Sequence, residues 1–258
     1  MSIKIDIPKP CKACQDTTPL CFDFSMAFQP IVDTRDNSIF AYEALIRGLT
    51  GEGAPQMLAK VNEDNRYLFD QSCRVKAVEL ASHLQVPCFI SINFLPNAVY
   101  QAATCIRATL EAARRYNFPT NRLIFEITEN EELVDKAHLK SIITEYKRQG
   151  FKTAIDDFGA GYSGLNLLAE FQPDIIKLDM ALVRDINTSP VRQAIVQGIL
   201  GVCQALTIDV IAEGIESLAE LRLLQGMGVN LFQGYLFAKP AFEHLPVVTW
   251  PAAVPADA

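Results

Sequence analysis

The 258-residue chain lacks the features of several classes of protein. Its 23 lysines and arginines are outnumbered by 30 aspartates and glutamates, and the net charge of −7 argues against binding a nucleic acid polymer or an anionic membrane surface. The most apolar stretch, Ala194–Ile208, is too short to span a bilayer and predicts a buried helix. Met1–Pro10 lacks the apolar core of a signal peptide. We therefore expect a cytoplasmic protein with no membrane partner.

The cysteines do not indicate a disulfide framework. There are seven of them, an odd number, in a chain without an evident export signal. Cys11 and Cys14 form a CxxC motif that Cys21 follows, but a zinc site needs four ligands and no nearby histidine supplies the fourth. Residues 1–22 are therefore interpreted as an N-terminal arm without specialised chemistry, and a metal shared across a dimer is the alternative. The other four stand among apolar neighbours, as small core residues do: Cys73, Cys88, Cys105 and Cys203.

From Phe24 onward, short β-rich runs alternate with helical patterns. Eight strands are predicted, at Met26–Val32, Phe40–Ile46, Cys88–Asn93, Arg122–Ile127, Lys152–Asp156, Ile175–Leu178, Asp209–Ala212 and Leu231–Tyr235. Helices are predicted between them, at Asn65–His83, Ala98–Tyr116, Glu131–Gln149, Pro190–Ala205 and Leu218–Met227. Strands and helices in this alternation predict an α/β fold, a closed and mostly parallel (β/α)8 barrel.

The start and the end of the chain depart from this regular pattern. The first two strands are joined by DTRDNS, which is too short for a crossover helix, so they should form an antiparallel hairpin. We therefore expect an irregular TIM-like (β/α)8 barrel with an antiparallel first strand. No linker interrupts residues 23–245, which should form one domain. The tail, residues 246–258, is rich in proline and alanine and is expected to be disordered.

Polar residues fall within or at the ends of the predicted strands. They are Glu43, Asn93, Glu126, Asp156, Lys177, Asp179, Glu213 and Gln233. In parallel barrels the carboxyl ends of the strands carry the working residues. For any single acid a helix cap or a surface charge is the commoner explanation. Their joint occurrence favours a site, because a buried, unpaired carboxylate costs several kcal/mol unless a metal or partner compensates it.

The chemistry of this cluster indicates hard divalent cations. Carboxylate and amide oxygens without histidine favour Mg²⁺ or Mn²⁺ over zinc. Asp156 and Asp157 are adjacent, so one could bridge two ions while the other binds one of them. That arrangement is typical of two-metal phosphoester hydrolases.

Eight motifs in order carry a resemblance to a known family. They read FQPIVD, YEALIRG, SINF, FEITE, DDFGAGYSGL, IIKLD, VIAEGIE and QGYLFAKP. Over about Ser25–Pro240 the chain resembles the EAL-domain phosphodiesterases that hydrolyse cyclic di-GMP, whose fold is an irregular (β/α)8 barrel. Residues 23–245 would then be an EAL phosphodiesterase domain. The segment Gly53–Asp70 looks similar to EAL domains attached to blue-light-sensing BLUF modules.

The resemblance implies an activity and a set of roles. The activity is metal-dependent hydrolysis of cyclic di-GMP to linear pGpG by two-metal activation of water, which lowers the level of a bacterial second messenger. The family resemblance also implies a homodimer. One ion would be held by Glu43, Asn93, Glu126 and Asp156, and the second by Asp156, Asp157 and Glu213. Lys177 would orient or deprotonate the attacking water, with Gln233 nearby. Gln29 and Arg47 would contact the substrate, and Glu129 would pin the Gly-rich loop Asp157–Leu165, which the family uses to couple dimerisation to metal binding.

Alternatives remain at this point. Lys177 could instead be a buried partner of Asp179. The whole chain could be a catalytically silent cyclic di-GMP sensor that acts through a protein partner, or an interaction module that does not bind the nucleotide. The sequence leaves open the choice between Mg²⁺ and Mn²⁺, the turnover rate, the regulatory input and the role of the three N-terminal cysteines.

Overall fold

The computed structural model describes residues 19–99, 101–128, 136–161 and 164–251. Within these ranges the chain forms one nine-stranded sheet. Its strands are β1 (Phe24–Asp33), β2 (Ser38–Gly48), β3 (Phe89–Asn93), β4 (Leu123–Thr128), β5 (Lys152–Phe158), β6 (Ile175–Leu178), β7 (Asp209–Ala212), β8 (Leu231–Gln233) and β9 (Ala241–Phe242). All eight predicted strands are present, and the short β9 is additional.

The sheet closes into a barrel through its first strand. Strands β2 to β8 lie side by side in chain order and are parallel. Strand β1 runs antiparallel to both β2 and β8 and so joins the two ends of this series. The tight turn between β1 and β2 includes Asn37 in the left-handed region, at a φ of 55°, which asparagine tolerates better than most residues. The predicted irregular barrel with an antiparallel first strand is confirmed.

Helices surround the barrel in the described part of the chain. They are α1 (Ala54–Leu58), α2 (Arg66–His83), α3 (Ala102–Cys105), α4 (Arg107–Arg115), α5 (Lys136–Arg148), α6 (Gly164–Glu170), α7 (Met180–Val183), α8 (Pro190–Leu206) and α9 (Leu218–Gly226). The single helix predicted over Ala98–Tyr116 is divided, because Gln101 is extended at φ −145° and ψ 108° and separates a 3-10 turn at Pro96–Ala98 from α3 and α4. The short helices α1, α6 and α7 were not predicted.

Helix α8 differs from its prediction in burial. The apolar stretch Ala194–Ile208 was expected to be buried, yet only Val196, Ile199 and Cys203 of α8 are buried residues. Its other face exposes large apolar side chains, among them Val191 (70% exposed) and Ile195 (47%). The helix packs on the barrel along one side only, and composition alone could not show which side would remain uncovered.

The barrel has a small apolar core of its own, distinct from the large core between sheet and helices. Seven buried side chains fill its interior: Ile31, Ala41, Ile124, Ala154, Ile175, Ile211 and Leu231. The rings of Phe40 and Phe89 pack against this set, with their centroids 5.3 Å apart. We call these residues the apolar plug. Because side chains in a strand alternate between the two faces, the next inward position along each strand lies directly above the plug.

The C-terminal segment lies against the barrel as far as residue 251. The backbone N–H of Thr249 donates to the carbonyl of Phe237 at 2.9 Å, and the Trp250 ring lies 6.4 Å from the Phe237 ring. Of the tail that was predicted to be disordered, Thr249 and Trp250 therefore have defined contacts, and residues 252–258 lie outside the described residues. Residues 1–18, with Cys11 and Cys14, also lie outside them. None of the described helices combines the length and apolar character that a bilayer span requires.

We expect the capping box of α9 to stabilise the fold measurably. The Ser217 hydroxyl accepts from the Glu220 N–H at 3.3 Å, and the Glu220 carboxylate accepts from the Ser217 N–H at 3.0 Å. Ser217→Ala should lower the free energy of unfolding by about 1 kcal/mol in urea titrations. Ser141→Ala is the control, because that exposed hydroxyl bonds only a carbonyl within its own helix. Equal stability of the two variants would contradict this role.

Candidate active site

A ring of polar side chains lies above the apolar plug. On six strands, the residue two positions after a plug residue is polar: Glu43, Glu126, Asp156, Lys177, Glu213 and Gln233. Strand β1 runs the other way, so Gln29 precedes its plug residue Ile31 and lies opposite Glu43 in the register. The two-residue period of the strands and the closure of the barrel therefore bring these predicted residues to one level.

Lys177 lies at the centre of this ring and is fully buried. Its Nζ is within 3.3 Å of a carboxylate oxygen of each of four acids: Glu43 (3.3 Å), Glu126 (3.0 Å), Asp156 (2.8 Å) and Glu213 (2.8 Å). Burial opposes the ammonium charge, but the four carboxylates outweigh burial and hold the pKa of Lys177 well above its ordinary value. Asp179 is not its partner, because the Asp179 carboxylate caps α7 by accepting from the Ala181 N–H at 2.8 Å.

A bulge at the end of β5 places Asp156 and Asp157 together. Adjacent side chains in a regular strand point to opposite faces. Here the register with β6 shifts between Ile155 and Phe158, and Asp157 has a φ of 54°, in the left-handed region. Both acids consequently line the same two cavities above the barrel.

The acids form two overlapping groups with the spacing of metal ligands. Carboxylate oxygens of Glu43, Glu126 and Asp156 lie within 4.8 Å of one another, and so do those of Asp156, Asp157 and Glu213. Asp156 belongs to both groups. Its Oδ1 is buried and receives no well-aligned hydrogen bond from the described residues, although Lys177 Nζ is close. A carboxylate shared by two groups of acids, in an all-oxygen donor set, is suited to hard divalent cations.

Several of these acids hold protons more tightly than usual. Burial, with the charges of Glu43 and Asp156, raises the pKa of Glu126 to about 8 against the opposing effect of Lys177. Burial likewise raises the pKa of Glu213 well above its ordinary value. The pKa of Asp157 is raised to about 6, by burial first and then by the charge of Asp156. The protein without metal therefore retains protons on the cluster near neutral pH.

Amide side chains connect the first group of acids to its neighbours. Asn93 donates from Nδ2 to Glu43 Oε1 at 3.0 Å. Gln233 donates from Nε2 to Glu43 Oε2 at 2.7 Å and to Gln29 Oε1 at 3.2 Å. Gln29 in turn donates to the carbonyl of Ala238 at 3.3 Å. These bonds fix Glu43 between Asn93 on one side and Gln233 on the other.

Ser91 belongs to the site and was not predicted. Its hydroxyl is fully buried and donates to Glu126 Oε1. The signal was present in the sequence, because Ser91 is two residues before Asn93 on β3 and so shares its inward face.

Arg47 is less closely connected to the cluster than the other predicted residues that the structure describes. Arg47 lies on β2 four residues beyond Glu43, toward the mouth of the barrel, and its Nη1 donates to the neighbouring Ile46 carbonyl at 2.7 Å. Among the described residues it lines neither of the two cavities discussed next. Glu129 lies outside the described residues, so its predicted role in the Gly-rich loop stays a prediction.

Two cavities open above the cluster. One, of about 350 Å³, extends from Glu43, Asn93, Asp156 and Asp157 toward apolar side chains of α1 and α2. The other, of about 310 Å³, lies on the opposite side. It is lined by Gln29, Glu213, Gln233 and the half-exposed ring of Tyr235, among others. Both cavities share Glu43, Asp156 and Asp157, so a ligand with two arms could lie across the acids.

The fold is a (β/α)8 barrel, and its site is an acidic cluster of the kind that binds metal ions. Comparison with known proteins gives the family. The family model described as EAL domain matches residues 21–240. The chain belongs to the EAL domain family.

Two solved structures are similar to the chain. A standalone versatile EAL protein from Vibrio cholerae O395, in its c-di-GMP bound form, is 57% identical with a TM-score of 0.87, over 90% of this chain and 98% of that chain. The manganese/cy-diGMP complex of Klebsiella pneumoniae BlrP1 at pH 9.0 is 34% identical with a TM-score of 0.85, over 97% of this chain and 66% of that chain.

Curated relatives from Escherichia coli (strain K12) differ in what their names describe. The blue light- and temperature-regulated antirepressor BluF is 34% identical over 228 residues, which is 87% of this chain and 56% of BluF. The cyclic di-GMP phosphodiesterase PdeR is 42% identical over 144 residues, 54% of this chain and 22% of PdeR. The chain thus spans about half the length of the first and a smaller part of the second.

Metal binding at the cluster should strengthen as the pH rises from about 6 to about 8. A cation must displace the protons that Glu126, with its pKa of about 8, and Asp157, with its pKa of about 6, hold in the metal-free protein. Calorimetric titrations with Mn²⁺ at several pH values should show tighter binding and fewer released protons at higher pH. In Glu126→Gln the pH dependence near pH 8 should become weaker, because one of the protons to be displaced is gone. A dissociation constant that is independent of pH would contradict this description.

Proposed function

We propose that the chain is a divalent-metal-dependent phosphodiesterase that hydrolyses cyclic di-GMP to linear pGpG. The observation that carries this proposal is the pair of carboxylate groups that share Asp156 beside the buried Lys177. The relatives support the choice of substrate, since one is named a cyclic di-GMP phosphodiesterase and two similar structures contain the nucleotide.

The residues around the cluster suit the two metal positions. Glu43, Glu126 and Asp156, with the Asn93 carboxamide, would hold one Mg²⁺ or Mn²⁺ ion; Asp156, Asp157 and Glu213 would hold the other. Bound there, two ions would supply an acidified water and positive charge opposite the phosphoryl oxygens. The similar structure that contains manganese with the nucleotide supports the ion class.

The chain's own residues would bind the nucleotide and orient the attacking water. Lys177 offers ammonium protons at the centre of the carboxylates and would orient the attacking water, with Gln233 beside it on Glu43. The water oxygen bonds to phosphorus and the bond to the 3′ oxygen breaks, and the proton that the water gives up balances the one that the leaving 3′ oxygen takes up. Gln29 inside the cavity and Arg47 toward the mouth would contact the nucleotide, the guanidinium being suited to a phosphate.

We further propose that the chain works as a homodimer through α8. Its exposed apolar residues are Val191, Ile195, Val202 and Leu206, which lie four, seven and four positions apart and so form one narrow stripe. Beside the stripe a groove of about 730 Å³ is lined by Gly159 and Gly161, which follow Asp157 on the chain. An interface here would be continuous with the segment that carries two of the metal-binding acids.

One relative favours a second function. The similarity to a protein named an antirepressor supports a catalytically silent cyclic di-GMP sensor that acts through a protein partner. The close approach of the five acids Glu43, Glu126, Asp156, Asp157 and Glu213 supports the enzyme instead.

The enzyme should convert cyclic di-GMP to pGpG with Mg²⁺ or Mn²⁺, and EDTA should abolish the reaction. Glu43→Ala should lower kcat by about 10³-fold or more, because Glu43 belongs to the first carboxylate group and anchors both amide side chains. Asp36→Asn, an exposed acid in the β1–β2 turn, is the matched control. Chromatography of the products gives the rate. Tight nucleotide binding without turnover would support the sensor, and an active Glu43→Ala would refute the metal assignment.

Ile195→Asp should weaken self-association at least 10-fold, because it places a charge in the middle of the apolar stripe. Sedimentation velocity over a range of concentrations measures the change. Val247→Asp is the control, since Val247 is equally apolar and 90% exposed but lies on the C-terminal segment. A monomeric parent chain, or equal effects of both variants, would contradict the proposed interface.

A further inference from the structure

A second set of charged side chains lies buried on the outer side of the barrel, between the sheet and the helices. Asp70 and Arg74 are on α2, Tyr146 is on α5, and at most 2% of each residue is exposed. Arg74 donates from Nη2 to Asp70 Oδ2 and from Nη1 to the Tyr146 hydroxyl at 3.0 Å. We call these three residues the outer triad.

A buried ion pair such as that of the outer triad is weak evidence for a stabilising role. Removing two charges from water costs several kcal/mol each, and apolar residues of similar size often replace a buried ion pair without loss. Arg74 Nε, moreover, has no hydrogen-bond partner among the described residues. A charged group kept at this cost is better explained by the geometry that it imposes on its neighbours.

The outer triad contacts the turn that follows Asn93. Asp70 uses its second oxygen, Oδ1, to accept the Leu95 N–H at 3.0 Å. The preceding N–H, of Phe94, donates to the Glu126 carbonyl at 3.1 Å. Two consecutive amides after Asn93 are therefore held from two directions, one by α2 and one by β4.

The ring of Phe94 completes this attachment. Its centroid lies 5.4 Å from the Tyr146 ring and 6.0 Å from the Phe125 ring, and Arg74 lies over the face of Phe125 at 6.0 Å. The outer triad thus contacts Phe94 by packing and Leu95 by a hydrogen bond. It also joins segments that follow three strands of the site: α2 comes after β2 with Glu43, α5 after β4 with Glu126, and the turn after β3 with Asn93.

We propose that Asp70, Arg74 and Tyr146 are positioning residues for the metal centre: they fix the turn after β3 so that the Asn93 carboxamide meets Glu43. The inference rests on the proposed function in taking the carboxylate cluster to bind divalent ions. It assigns a role in ion binding to residues that do not touch the ion.

The test compares three variants of the full chain. Tyr146→Phe removes only the hydroxyl that accepts from Arg74, and Asp70→Ala removes the acceptor of the Leu95 N–H. Both should weaken Mn²⁺ binding about 10-fold by calorimetry, the lower end of the range for residues that support metal ligands. Ile142→Val is the control, because Ile142 is a buried residue of α5 whose side chain has no polar group. Its Mn²⁺ affinity should equal that of the parent chain, whatever its melting temperature.

A second measurement needs no metal. Hydrogen exchange of the Leu95 amide in the metal-free protein should be about 10-fold faster in Asp70→Ala than in Ile142→Val, since its acceptor is gone. If Asp70→Ala does not fold, Mn²⁺ binding by Tyr146→Phe decides alone. The proposal would be overturned if Tyr146→Phe and Asp70→Ala both kept the parental Mn²⁺ affinity. It would also be overturned if Ile142→Val lost affinity too, so that the loss in all three variants simply followed the fall in melting temperature. If the parent chain bound no Mn²⁺, the proposed function would fail, while Leu95 exchange would still decide the positioning.

Discussion

The central physical constraint is one ammonium group shared by four carboxylates inside a closed barrel. Lys177 neutralises only part of the charge around it, and there is no bulk water below to screen the remainder, because the apolar plug fills the lower barrel. The rest of the site supplies hydrogen-bond donors to these acids. The hydroxyl of Ser91 and the amides of Asn93 and Gln233 all donate to carboxylate oxygens. The excess of negative charge that remains is what makes the centre a receptor for cations.

Two features of the fold determine which further side chains surround this charge. The antiparallel β1 closes the barrel and adds Gln29 from a strand that runs opposite to the others. The bulge in β5 turns the Asp157 side chain toward the site, whereas in a regular strand it would point to the opposite face from Asp156. On the outer side of the sheet, Asp70 and Arg74 attach the turn after β3. The turn therefore connects the two charged groups. The Asn93 side chain donates to Glu43 in the site, and the Leu95 backbone N–H donates to Asp70 in the outer triad.

Much of the barrel and of the carboxylate cluster could be predicted from the sequence, because both follow from short-range rules. A β-rich run with a charged residue near its carboxyl end predicts a strand that contributes to the mouth of the barrel, and the repeated pattern brings such residues together, as it does Glu126 and Lys177. Features that depend on packing between distant segments were not accessible in this way. The exposed side of α8, the partners of Lys177 and the burial of Arg74 depend on which surfaces meet, and local periodicity does not specify that.

The apolar plug also determines by which route molecules can reach the site. Among the described residues, Ile31, Ile124, Ile175 and their neighbours fill the lower half of the barrel and block passage through it. The site is therefore open at one end only, and a ligand must enter and leave it through the same mouth. Any segment or partner that covers the rim therefore controls entry and exit at once.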